Sequence, residues 1–288
     1  MERHLTKIQQ LLRTVRRLLR NPLAVLAMLV LGLLLIVIVF PQWFAQYDPY
    51  EIVPGQRLLP PSPSHLFGTD EVGRDVLSRV VYGARTSVGT AVTVVLFACT
   101  VGTIVGALSG YGGPIMDAII MRLVDITLAF PALVLAMAIV AAIGRGLLKA
   151  MLAMILIWWA QYARLVRGQV LQIREREFVQ AALAIGVPNG RIMIRHILPN
   201  CLSPILVKAT LDIAVAILFT SFLSFLGLGV QPPEAEWGVD VSAGRAYLVD
   251  AWWYPTFPGL AIFVTVMALN LFGDAIRDVL DVRLQSSA

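Results

Sequence analysis

Residues 23–40 pass without a single charged side chain, and a second charge-free run covers 88–108. Further apolar stretches lie at about 126–143, 147–163, 204–226 and 257–273; Pro131 falls within the first of these, and their charged residues are Lys149, Lys208 and Asp212. A membrane helix needs roughly 20 apolar residues, because the hydrocarbon is about 30 Å thick and a helix rises about 1.5 Å per residue. Inside hydrocarbon each backbone amide must find its partner within the protein, so isolated apolar stretches of this length become helices. The pattern predicts an all-α membrane protein with six transmembrane helices. The composition excludes the alternative of a water-facing globule: 14% charged residues and a mean hydropathy of +0.78 contrast with about 25% charge in soluble domains. Cys99 and Cys201 stand far apart with no CxxC spacing, which excludes a disulfide framework and a thiolate metal site.

The first apolar run is long for a cleavable signal, follows 22 residues and lacks a small-x-small site, so it is predicted to be a retained anchor. Phe40, Trp43, Phe44, Tyr47 and Tyr50 behind it read as an interfacial aromatic belt. Residues 1–22 carry Arg3, Lys7, Arg13, Arg16, Arg17 and Arg20 against one acid, which predicts a cytoplasmic tail. With six spans the 277–288 tail is cytoplasmic too. Cytoplasmic segments then hold 15 of the 23 basic residues and eight acids, the outer segments seven basic residues and nine acids. The positive net charge is therefore explained by topology and does not call for nucleic acid.

Three connections, 41–87, 164–203 and 227–256, are too long to be mere turns. The outer segment 41–87 is Pro-rich, then becomes helical, with Thr69 or Asp70 as N-cap and Val76, Leu77, Val80, Val81 and Ala84 on one face. Asp75 and Arg79 are expected at i, i+4 on the other; the plain expectation is an amphipathic helix lying on the membrane. The cytoplasmic segment 164–203 contains EFVQAALAIGVPNGRIMIRHILPN. Phe178, Ala181, Ala182 and Ile185 share a helical face, Gly186 and Pro188 end that helix, and a second helix is expected from about Gly190 to Leu198, stopping at Pro199. Two readings of this helix–turn–helix stand: a loop packed on its own bundle, or a knob docking into the groove of a soluble partner.

Gln180-Ala181-Ala182, then Gly186, then His196-Ile197-Leu198-Pro199 resembles the EAA loop of ATP-binding-cassette importer permeases, with Gln180 for Glu and His196 for Ile. The blocks at 65–87, 121–131, 224–238 and 257–281 are similar to the C-type permease of dipeptide, oligopeptide and nickel importers. This resemblance implies a type I importer permease fold with a core at 88–276. It implies that Phe178, Gln180, Ala181, Ala182, Gly186, His196, Leu198 and Pro199 couple the chain to ATPases. It also implies a homologous second permease, two ATPase subunits that bind the ATP and magnesium, a substrate-binding protein, and an inner-membrane location. The chain would form half the route for di- or oligopeptides, with nickel or a metallophore complex as the alternative.

The chain itself has no GxxxxGK[ST] phosphate loop, HExxH or GxSxG, so no catalytic residue or cofactor is assigned to it. His4, His65 and His196 are too far apart in sequence for a local metal site. Lys208 and Asp212 share one face of the fifth span; an intramembrane charge pair is either self-satisfied structure or part of a pathway. Asn270 on the last span suits an interhelical hydrogen bond or a place along the route. A proton-coupled secondary transporter relaying through Lys208 and Asp212 is the alternative of another class. The outer segment 227–256 reads as a belt with tight turns, or as a mouth whose Glu234, Glu236, Asp240 and Asp250 face a basic partner.

Overall fold

The computed structural model describes residues 21–285, with side chains as far as Asp278; the expected tail residues 1–20 and 286–288 lie outside that range. The helices are α1 (Pro22–Val39), α2 (Val76–Tyr111), α3 (Pro114–Leu128), α4 (Ala132–Ile143), α5 (Leu147–Arg174), α6 (Glu177–Ala184), α7 (Asn189–Ile192), α8 (Leu198–Phe225), α9 (Trp237–Gly244) and α10 (Trp253–Gln285). The described residues divide into two compact units, one of 21–88, 210–218 and 232–285, the other of 89–209 and 219–231.

In the first unit α1 and α9 pack on α10. The Asn21 side chain caps α1 by accepting from the Leu23 and Ala24 amides, and Pro22 at the first position gives up no hydrogen bond. Ala24 and Ala27 face inward while Leu23, Leu26, Leu29 and Leu33 stay exposed; small residues let helices approach and large ones suit lipid.

Helix α2 differs from expectation in three ways. Its cap is Asp75, whose Oδ2 accepts from the Ser78 amide and hydroxyl at 2.8 Å, not Thr69 or Asp70. Asp70 instead closes the preceding turn by accepting from the Val72 and Arg74 amides and from Arg74 Nε. The expected surface helix and second span are one helix of 36 residues, about 54 Å long. Asp75 and Arg79 are buried and take different partners, His65 and Asp240.

In the second unit the predicted span 126–143 is broken. Pro131 lacks an amide hydrogen to continue the helix, and α3 and α4 meet at 88°. With 12 residues, α4 is about 18 Å long, too short to cross alone. Helix α5 carries the unit's centre: Ala153, Met154, Ala160, Tyr162, Ala163, Val166 and Val170 are fully buried. Gly102, Gly106 and Gly110, one per turn of α2, let backbone approach backbone. A Cβ on Gly102 would lie 2.5 Å from the Trp159 carbonyl oxygen, one on Gly106 would collide with that of Ala163, and one on Gly110 would lie 2.8 Å from Val170. Arg167–Asp117 and Arg164–Asp125 ion pairs tie α5 to α3.

By length and composition four of the described helical stretches can cross a membrane (α1, α2, α7 running through α8, and α10), and the bent α3–α4 pair brings the number to five. The remaining predicted span lies within α5, about 42 Å long, whose apolar run is diluted by Lys149, Gln161 and Arg164.

Candidate coupling knob and intramembrane polar groups

The C-terminal end of α5, the short α6 and α7, a π-helical turn at Met193–Ile197 and the start of α8 form one folded knob. Val166, Val170, Ile173, Val179, Ala182, Ile192, Ile197, Cys201 and Ile205 make its core, with Ala107 of α2. Helix α6 ends in a Schellman motif: Gly186 has φ +79°, its amide reaches the Leu183 carbonyl, and the Val187 amide reaches that of Ala182. The second helix does not stop at Pro199. Proline cannot donate to the carbonyl four residues back, and the chain absorbs this by widening to a π turn before α8 begins.

The predicted apolar face of α6 is split. Val179 and Ala182 point into the core, whereas Phe178, Ala181 and Ile185 are exposed, Ile185 by 81%. Leu183 and Ile194 add to that apolar exterior. Gln180 is also exposed, and its Nε2 donates to the Arg174 carbonyl at 2.9 Å, fastening α6 to the end of α5. A carboxylate in its place could only accept, so it could not make this bond. Arg174 in turn donates to the Gly110 carbonyl, and the Tyr111 hydroxyl donates to Asn189 Oδ1 at 3.1 Å. His196 is half-buried with its carbonyl accepting from Asn200 Nδ2, Leu198 packs against the core, and Pro199 is exposed.

Lys208 lies on α8. Its Nζ donates to Gln161 Oε1 at 3.1 Å and sits 5.2 Å from the centre of the Tyr162 ring, a cation–π geometry. Asp212 follows one turn later on the same helix, half-buried. Asn270 is exposed and donates to the Val266 carbonyl of its own helix at 3.0 Å.

The first unit holds a polar core that the sequence reading missed. Arg79, 2% exposed, donates through Nε and Nη2 to Asp240 Oδ1, through Nη1 to the carbonyls of Pro49 and Pro233, and through Nη2 to that of Glu234. Asp240 is 1% exposed, and burial pushes its carboxyl up to about 6 against the opposing pull of Arg79. Glu236, also buried, caps α9 by accepting from the Val239 amide and takes the Ser87 hydroxyl on its other oxygen. Glu236 and Asp240 are therefore interior and cannot face a basic partner, while Glu234 remains exposed. His65 is buried between Asp75 Oδ1 and Gln56 Oε1. The sequence signal for the glycine face was present as the four-residue spacing of Gly102, Gly106 and Gly110; nothing local paired Arg79 with a residue 161 positions away.

Long apolar helices, with a compact helix–turn–helix knob at the junction of α5 and α8, define a membrane-embedded helical protein. The family described as binding-protein-dependent transport system inner membrane component matches residues 102–286, and the N-terminal TM domain of oligopeptide transport permease C matches 10–61. The chain belongs to this permease family of ATP-binding-cassette importers. It is 48% identical over 261 residues to the probable D,D-dipeptide transport system permease protein DdpC of Escherichia coli, covering 91% of this chain and 88% of that one. It is 42% identical over 271 residues to the dipeptide transport system permease protein DppC of Alkalihalophilus pseudofirmus (94% and 89%) and 40% identical over 262 residues to the E. coli nickel transport system permease protein NikC (90% and 94%). An inward-facing structure of the MetNI methionine transporter superposes with a TM-score of 0.56 at 17% identity, covering 70% of this chain and 96% of that one, which supports the type I permease fold. Family membership sets aside the proton-coupled secondary transporter. The chain is a transport component rather than an enzyme.

Proposed function

We propose that this permease forms half of a route for di- or oligopeptides, and that the knob is where ATPase work enters it. The observation that carries the coupling role is the divided α6: Val179 and Ala182 anchor the helix to α5 and α8, and Phe178, Ala181 and Ile185 are presented outward as an apolar face. Such a face on a short rigid helix suits a groove on a soluble partner. In this reading Gly186 and Gln180 set the angle of α6, while His196, Leu198 and Pro199 transmit its motion into α8. The partners are a homologous second permease, two ATPase subunits holding ATP and magnesium, and a substrate-binding protein. The protein lies in the inner membrane with six spans, α5 among them, and both termini cytoplasmic, a reading supported by the basic residues of 1–22 and of the knob. Lys208 and Asp212 line the route, where an ammonium and a carboxylate would meet the two ends of a peptide.

Peptide is favoured over nickel because the relatives named for dipeptide transport are the more similar, at 48% and 42% identity against 40%. The test is Ile185→Glu in the reconstituted transporter. The variant is expected to insert normally and to lose substrate-stimulated ATP turnover by about ten-fold or more, since burying one uncompensated charge costs several kcal/mol. Unaltered turnover would remove the coupling role. Mass-spectrometric identification of the ligand carried by the cognate binding protein separates peptide from a metal complex.

A further inference from the structure

Where α1 ends, the structure builds a groove that coupling and transport leave unused. Phe40 and Trp43 stack at 4.4 Å just past the helix, and Trp43 is 69% exposed. This is the arrangement of aromatic groups at a headgroup boundary. Beside it lies an open groove of about 340 Å³, lined by Gln42, Tyr47, Asp48, Tyr50 and Tyr82 among others, near the lower end of the size of small-ligand sites. Tyr47 and Tyr50 are exposed and Tyr82 is half-buried.

The polar groups there are arranged for a cation. The Tyr47 hydroxyl is already committed to the Ser64 carbonyl, and that of Tyr50 to Glu234 Oε2 at 3.3 Å. Both rings are thereby fixed, with their oxygens' protons used elsewhere. Asp48 is exposed; its Oδ1 accepts from the Tyr50 amide at 2.8 Å, and no basic side chain pairs with it among the described residues. Glu234, beyond the Tyr50 ring, likewise has no basic partner among them. One carboxylate and three phenol rings line the groove, with Glu234 held at the Tyr50 hydroxyl, and this set favours an ammonium group through ion pairing and through the negative faces of the rings.

A basic side chain follows on the same helix, one turn after Tyr82. Arg85, three residues after Tyr82 and so on the same side of α2, is exposed and donates from Nε and Nη2 to the Ile38 carbonyl at the end of α1. Its Nη1 has no hydrogen-bond partner among the described residues. A cation at this spot is favoured by the negative end of the α1 dipole, and its remaining donors can take a phosphate oxygen.

We propose that the groove between the end of α1 and the start of α2 binds the headgroup of a zwitterionic phospholipid. Its ammonium rests among Asp48, Tyr47, Tyr50 and Tyr82, and its phosphate on Arg85. An anionic headgroup without an amine would satisfy Arg85 and leave Asp48 unpaired, so the site discriminates between lipids by charge. The site is independent of the coupling and peptide assignments.

The test is native mass spectrometry of the full-length permease released from micelles containing equal amounts of phosphatidylethanolamine and phosphatidylglycerol. Phosphatidylethanolamine adducts should predominate roughly five-fold, the size of one cation–π contact with one exposed ion pair. Asp48→Ala should bring the ratio to about one, and Arg85→Gln should weaken retention of both lipids. Equal retention by the unaltered chain, or a preference that survives Asp48→Ala, overturns the proposal. So does displacement of the lipid by millimolar alanyl-alanine, which would make the groove a receptor for peptide amines. Should Asp48→Ala fail to fold, Asp48→Asn reads the same preference with the side-chain volume kept.

Discussion

Replacing Arg79 by Met removes the hub of the first unit's polar core and tests whether that core holds the unit together. Methionine keeps most of the stem's volume but donates nothing, so the Asp240 carboxylate and the carbonyls of Pro49, Pro233 and Glu234 lose their donor together. Breaking a buried ion pair from one side costs about 3–5 kcal/mol, because the other charge stays buried and uncompensated. At about 2–4 °C per kcal/mol for chains in this size range, the melting temperature of the detergent-solubilised permease should drop by roughly 10 °C. The loss should also depend on pH. The folded-state pKa of Asp240, about 6, lies above the value of about 3.9 for an unfolded aspartate. The folded chain therefore holds this proton more tightly: the group's contribution to stability is fully present below about pH 4 and is lost as pH rises through 6. Without Arg79 the carboxyl rises further, so the Arg79→Met deficit should be largest near pH 8 and shrink toward pH 5. Asp240→Asn in the Arg79→Met background should recover part of the melting temperature at pH 8 by removing the unpaired charge. Tryptophan-fluorescence melts across pH 5–8 measure all of this. A deficit of less than about 2 °C, or one that is flat with pH, would refute the reasoning.

Two further outcomes follow from the second unit. Gly106→Val forces two methyl groups against the Ala163 backbone and should destabilise by about 1–3 kcal/mol or more, whereas Gly89→Ala, which meets nothing within 4 Å, should be neutral or gain about 0.5–1 kcal/mol from helix propensity; parallel melts of the two variants check this, and equal behaviour would contradict the close approach of α2 to α5. Lys208→Met should insert, keep ATP turnover within about two-fold and lose uptake of labelled dipeptide by about ten-fold, the range of a single charge-assisted contact; retained uptake would return Lys208 to a purely structural role.

Much of the fold is legible in the sequence because hydropathy is a local property and the bilayer imposes it segment by segment. The run at 23–40 became α1 almost residue for residue. Gly186 was readable as the end of α6, because a positive φ and a following Pro are local demands. The errors arose where a local pattern competed with a distant partner. Asp75 and Arg79 have the spacing of an exposed helical pair, yet burial drew each to another segment. Phe178 and Ala182 share an apolar stripe, yet only Val179 and Ala182 meet the core, because α5 and α8 offer room to one side of α6 alone. Glu236 and Asp240 have the composition of a solvated loop, but a cap and a guanidinium make them interior.

The sequence by itself determined that this chain folds as long apolar helices of membrane-spanning length, and which connecting segment is the odd one out, since backbone desolvation leaves few alternatives. Only the tertiary structure decided which face of α6 is spare, that Pro131 bends a span rather than lying within it, and that Arg79 is a buried hub. Each of these depends on which groups from distant parts of the chain come within a few ångströms, and neither periodicity nor composition encodes that distance.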